Sequence, residues 1–175
     1  MVAIMKKKSR LLMSLLLSQL LCAGVASAVQ TCPSYIPDQT PNSRYTIDAS
    51  KSTVLDNDTG LMWQQCSLGF SGSDCTTGSA TRLTWQGALQ AGVASTQGGY
   101  NDWRLPNKKE LHSLVAGNCV NPSINQSVFP NTVSGVYWSS SPYANYSISA
   151  WSVYFYDGYD GSSDRTISYR VRLVR

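Results

Sequence analysis

The sequence predicts an α+β domain, and three observations carry the prediction. Two segments in the middle, from Trp85 and from Asn107, space their apolar residues as helices do. Short apolar segments before them, and alternating segments after them, have the two-residue period of strands. Four cysteines follow an export-like leader, an even count that favours two disulfides in an oxidising compartment.

The leader comes first. Lys6, Lys7, Lys8 and Arg10 form a basic start. Leu11 to Leu21 is apolar apart from Ser14, Ser18 and Gln19, and Ala26-Ser27-Ala28 has the small-x-small pattern of a signal-peptidase site. Residues 1–28 are expected to be a secretory signal peptide, with an apolar run too short to span a membrane. Cys22 offers a lipidated alternative, which Leu21 disfavours because that processing wants a small residue there. The chain has 14 Lys+Arg and 10 Asp+Glu; four of the basic residues lie in the leader, so ten of each remain. A formally neutral domain argues against electrostatic binding of nucleic acid, which needs a clustered basic face. A secreted, periplasmic or cell-surface location is expected.

Residues 29–43, rich in Pro, Thr and Ser, read as an extended lead-in to one domain at 44–175. Arg44–Asp48 and Ser52–Leu55 are short strand candidates, followed by the turn Asp56-Asn57-Asp58-Thr59-Gly60. Asp56 and Asp58 read as turn formers, since the oxygen spacing of a calcium loop is absent. Leu61-Met62-Trp63 should enter the core. Cys32, Cys66, Cys75 and Cys119 allow three pairings. Cys66 and Cys75 flank a Gly/Ser-rich loop and can close it locally, which leaves Cys32 for Cys119. No CxxC is present and His112 is the sole histidine, so neither a metal nor a cofactor is indicated.

Thr84 is the N-cap of a helix to Ser95, with Trp85, Ala88, Leu89, Gly92 and Val93 at helical spacing. Asn107 caps the second helix, with Glu110 as its capping-box partner and Leu111, Leu114 and Val115 as its buried face. Gly117 to Gly135 reads as a long ordered loop anchored by Ile124, Val128 and Phe129. Tyr137–Ser140, Ala150–Tyr156 and Ser168–Val174 read as strands, separated by a Gly/Asp loop at 157–164. Trp103, Trp138 and Trp151 are assigned to the core. In the last strand, Tyr169, Val171 and Leu173 are expected opposite Arg170, Arg172 and Val174.

The runs TGLMWQ (59–64), TWQGAL (84–89), GGYNDWRLPNKKEL (98–111), CVNPSIN with FPNT (119–132), YWSSSPY (137–143), AWSVYF (150–155) and the terminal YRVRLVR resemble the Lcl C-terminal domain family. The resemblance implies a C-type-lectin-like fold: two helices on a twisted, mostly antiparallel sheet, disulfide-stabilised. It also implies a secreted or surface location, with binding of sulfated polysaccharides in some members. The tail is similar as well to variable regions of proteins diversified by retroelements, in which adenine-bearing codons mutate into Asn, Tyr, Ser, Asp and Gly. That likeness makes Ser152 and Asp164 candidate variable positions beside the binding residues named next.

The function expected is binding. Tyr143, Asn145, Tyr146, Ser147, Ser149, Tyr154, Tyr156, Asp157, Tyr159 and Asp160 combine large amphipathic rings with adaptable hydrogen-bonding groups, the mixture antibody loops use. A protein or glycan partner fits this set. A sulfated ligand needs a basic patch, for which Arg165, Arg170, Arg172 and Arg175 are available, but Asp157, Asp160 and Asp164 offset it. The alternatives are a structural envelope protein and a relative of formylglycine-generating oxidases. The cysteines expected in disulfides disfavour the oxidase. His112 reads as solvent-facing, Asp102 as orienting Arg104, and Glu110 as a cap, so no catalytic residue is expected.

Overall fold

The computed structural model describes residues 29–175; the expected leader lies outside the described residues. The lead-in, expected to be extended, turns at residues 33–36 and ends in a short 3-10 turn at Asn42–Arg44, and it is tied down. Thr31 and Val120 exchange backbone hydrogen bonds at 2.9 Å, Gln30 Nε2 donates to Pro122 O and Ile124 O, and Cys32 is bonded to Cys119. Strands β1 (Tyr45–Asp48), β2 (Thr53–Asp56) and β3 (Met62–Gln64) form an antiparallel meander. In the turn after β2 the Asp56 carboxylate is buried. It accepts from Arg44 Nε (2.8 Å), Arg44 Nη2 (2.6 Å) and Thr59 Oγ1 (2.8 Å). Burial pushes this carboxyl up, but the hydrogen bonds outweigh burial and hold it below the ordinary aspartate value. Cys66–Cys75 closes the expected local loop beside a two-residue ribbon of β4 (Phe70–Ser71) and β5 (Thr77–Gly78).

After β6 (Arg82–Leu83), α1 (Trp85–Ala94) begins at Thr84, whose side chain accepts from Gly87 N. Ala88 and Gly92 are buried; Val93, expected on that face, is 83 % exposed. Gly92 sits against the Arg104 backbone, where a Cβ would lie 2.9 Å from Arg104 Cα, and Val93 is turned past that contact. In α2 (Lys108–His112) the capping box forms as expected: Asn107 Oδ1 accepts from Glu110 N at 2.9 Å, and Glu110 Oε2 accepts from Asn107 N at 2.7 Å. The helix stops before Leu114, which is nonetheless fully buried from the following turn.

The strands β7 (Val136–Pro142), β8 (Ser149–Tyr154), β9 (Asp160–Asp164) and β10 (Tyr169–Arg170) join β6 in a five-stranded sheet of order β6-β10-β7-β8-β9. All pairs are antiparallel except β10 with β7. The expected loop at 157–164 is thus half strand. Gly, Ser and Asp favour strands weakly, but five paired positions from Val153↔Asp160 to Ser149↔Asp164 decide the matter. Both faces of the sheet are covered. Tyr137, Val153 and Phe155 pack with Leu111 and Leu114; Trp138, Ala150, Val171 and Leu173 pack with Ala88, Trp103 and Leu105. Hence α2 lies toward one face and α1 toward the other, and the neighbours Tyr137 and Trp138 are both fully buried.

The expected strand at 168–174 is corrected. Only Tyr169–Arg170 belongs to the sheet; residues 171–175 run between β3 and Arg104. Gln64 N donates to Leu173 O (3.0 Å), while Arg104 and Val174 exchange bonds of 2.8 and 3.0 Å. Ser67, Phe129 and Thr132 cover the supposed polar face, and Arg172 is fully inaccessible. Its Nη1 donates to Gln64 O and Gln65 O, and its Nη2 to Ser67 Oγ (3.1 Å) and Thr132 Oγ1 (2.7 Å). The guanidinium lies over the Phe129 ring at 4.8 Å. Burial pushes its pKa down to about 10, so it stays a cation at neutral pH, neutralised by dipoles alone.

Candidate binding surface

The turn between β7 and β8 is built on two backbone bonds: Tyr143 N donates to Ser149 O (3.0 Å), and Ser149 N to Tyr146 O (2.9 Å). They bring the Tyr143 and Tyr146 rings nearly parallel, 6.0 Å apart, and set Tyr143 edge-on to Trp151 at 4.9 Å. Tyr143 and Ser149 are half-buried, Asn145 and Ser147 are exposed, and Tyr146 and Ile148 are 65 % and 64 % exposed. No residue from 143 to 151 is charged.

Trp151, assigned to the core from the sequence, is only half-buried. The Lys108 ammonium lies 3.6 Å from its ring centroid and is ion-paired with Asp160. Asp160 and Lys108 neutralise each other at the border of the aromatic cluster. The sequence offered no signal for this pair, because β9 and α2 are brought together only by the fold.

The remaining expected residues lie elsewhere. Side chains alternate along β8, so Tyr154 points to the face opposite Trp151. There it meets Tyr159 edge-on at 5.9 Å, over Gly161. Tyr159 is 65 % exposed. Tyr156 and Asp157 are exposed in the turn between β8 and β9, where Asp157 Oδ1 accepts from Tyr159 N. The expected set therefore divides into a 143–149 group with Trp151 and Asp160, a Tyr154/Tyr159 pair on the opposite face, and Tyr156 with Asp157 in the turn at the other end of β8. Ser152 is fully buried, with its hydroxyl donating to Gly161 O, and belongs to no surface.

The four arginines do not form one patch. Arg165 stacks on Trp85 at 4.2 Å, Arg170 is half-buried, Arg172 is enclosed, and Arg175 pairs with Asp102 at 2.6 Å. This also corrects the expected role of Asp102. Arg104 is held instead by Glu110, whose carboxylate takes both of its terminal nitrogens at 2.7 and 2.8 Å. The Arg104 hydrogen bonds keep the Glu110 carboxyl below its ordinary value. Asp102 and Glu110 thus sit in separate ion pairs. His112 is exposed, and the neighbouring Ser113 hydroxyl donates to Glu110 O. Among the described residues no group of three or more His, Cys, Asp or Glu side chains is placed to hold a metal, and no helix is long and apolar enough to cross a membrane.

Among the described residues the molecule is, by class, an α+β domain with mostly antiparallel sheets, two α-helices and two disulfides, with an exposed aromatic cluster where the β7–β8 turn leaves the five-stranded sheet. A family model described as the Lcl C-terminal domain matches residues 52–175, and the chain belongs to that family. Among curated proteins no match is found.

Proposed function

We propose that this chain is a secreted or surface binding module of C-type-lectin-like fold, without enzymatic activity, that recognises a protein or neutral glycan at the edge of its sheet. The observation that carries the reading is the uncharged cluster of Tyr143, Tyr146 and Trp151 with Ile148 exposed beside it. Rigid aromatic surface of this kind gives contact area at low entropic cost and suits a protein hot spot or the apolar face of a sugar. Tyr156 and Tyr159 are exposed in the turn at the other end of β8 and offer a second aromatic contact there. The C-type-lectin-like assignment rests on the family and on two helices lying toward opposite faces of the sheet. Export is supported by two disulfides, which belong to oxidising compartments.

The test replaces Tyr146, Tyr156 and Tyr159 together by Ala and compares the variant with the parent on a glycan array and in a pull-down from envelope extracts. Loss of the parent's ligands with an unchanged melting temperature supports the reading. Ligands that all persist on the triple variant rule the edge out as the site. Diversification of the same surface is tested in the genome: a neighbouring reverse transcriptase and a near-copy of the tail's coding sequence are expected.

A further inference from the structure

A second concave site lies away from the aromatic edge, where the lead-in folds back over the loop after α2. It is an open hollow of about 530 Å³ lined by residues 30–43 on one side and 116–127 on the other. Cys32–Cys119 holds the two sides together and forms part of the wall. A hollow of this size falls within the range of small-molecule sites, about 300–1,000 Å³.

Its chemistry is narrow. No lysine or arginine lines it, and no aromatic ring does. The polar groups are amides, hydroxyls and one carboxylate. Asp38 uses Oδ1 to accept from Thr40 N (2.9 Å), and its Oδ2 takes no hydrogen bond among the described residues. Asn42 Oδ1 accepts from Asn125 Nδ2 (2.8 Å), which fixes its amide with the NH₂ group unused. Asn118 lines the hollow as well, but its Oδ1 is enclosed, without a hydrogen-bond partner among the described residues, and offers a ligand no contact. Gln126 adds a half-buried amide that makes no hydrogen bond among the described residues. Apolar contact comes only from small surfaces, Pro41, Ala116 and the disulfide.

Anions have no cation to meet here, and an apolar ligand has no apolar floor. Paired donors and acceptors with a few aliphatic contacts match vicinal hydroxyls on a ring with C–H faces. We infer that this hollow binds a neutral saccharide of one or two rings, independently of the aromatic edge. The carboxylate and the Asn42 amide address neighbouring hydroxyls, and the Gln126 amide addresses a third.

The test is saturation-transfer NMR on the purified protein with a panel of neutral sugars: methyl α-mannoside, galactose, N-acetylglucosamine, maltose and cellobiose. Amide shifts are then mapped with the best of them. At least one sugar should saturate, with shifts at residues 38–43, 118 and 125–127. Asp38→Asn, which keeps the acceptor for Thr40 N and replaces the free carboxylate oxygen, combined with Gln126→Ala should weaken it at least tenfold at an unchanged melting temperature. The Tyr146, Tyr156 and Tyr159 triple variant should bind it as the parent does. The inference falls if no sugar in the panel binds, if the double variant binds as tightly as the parent, or if the hollow responds to calcium chloride alone. Shifts confined to residues 143–159 would also overturn it, and would leave the aromatic edge as the sugar site.

Discussion

The turn at 143–149 and the terminal segment at 171–175 come from the same polar and apolar-studded tail, yet they have opposite fates. In the turn, Tyr146 and Ile148 face outward and no charge is present. In the terminal segment even an arginine is enclosed. Composition does not separate the two; the number of neighbouring backbones does. The turn projects from the ends of β7 and β8, while the segment has β3 on one side and Arg104 on the other. One region is therefore built for stability and the other is left available for contact.

Substitutions should separate these roles by magnitude. Arg172→Ala leaves four acceptors of a buried cage without their donor, and is expected to cost roughly 4 kcal/mol in urea unfolding or to prevent folding. Arg172→Lys should recover part of that loss, because one ammonium cannot reach both sides of the cage. Removing Cys66–Cys75, which closes a separation of nine residues, should cost about 3 kcal/mol, read as the difference between the parent and Cys66→Ser/Cys75→Ser. Asp56→Asn should cost about 2–3 kcal/mol by uncoupling Arg44. At the other end, Tyr146→Ala should change stability by less than about 0.5 kcal/mol while weakening the ligand. A loss above 2 kcal/mol there would mean that the turn is scaffold and would erase the contrast.

Acid gives a second way to sharpen it. The Asp56 and Glu110 carboxyls are both lower folded than their ordinary values of 3.8 and 4.5. The unfolded chain therefore binds more protons in this range, so their contribution is complete above about pH 5 and is lost as pH falls through the folded values. Melting temperature should be flat above pH 5 and drop below pH 4, with a shallower drop in Glu110→Gln. The aromatic edge, with no carboxylate of its own from 143 to 151, should not contribute to this slope.

What was legible in the sequence was local. The Thr84 cap, the Asn107–Glu110 capping box and the closing of 66–75 depend on residues within ten positions of one another, and each is found. Tyr137 and Trp138 were legible as anchors because a wide aromatic ring there had to be buried. Non-local partners were not legible. Arg104 takes Glu110 and leaves Asp102 to Arg175, and Trp151 receives Lys108 from another element. Strand β9 was hidden because its Asp, Gly and Ser gain their strand conformation from β8 alone. Arg172 was misplaced for a related reason: alternation implies a wet face only when one face is free, and here neither is. Of the expected binding residues, the 143–149 group was legible as a unit, whereas the turn of Tyr154 to the opposite face required the strand boundaries.

The seating of residues 171–175 between β3 and Arg104 makes them a tie. Trp63 reaches Arg104 only through the bridges each makes to Val174, and the acceptors around Arg172 take their donor from the same five residues. Pulling this segment out would part β3 from Arg104 and open the buried cage in one event.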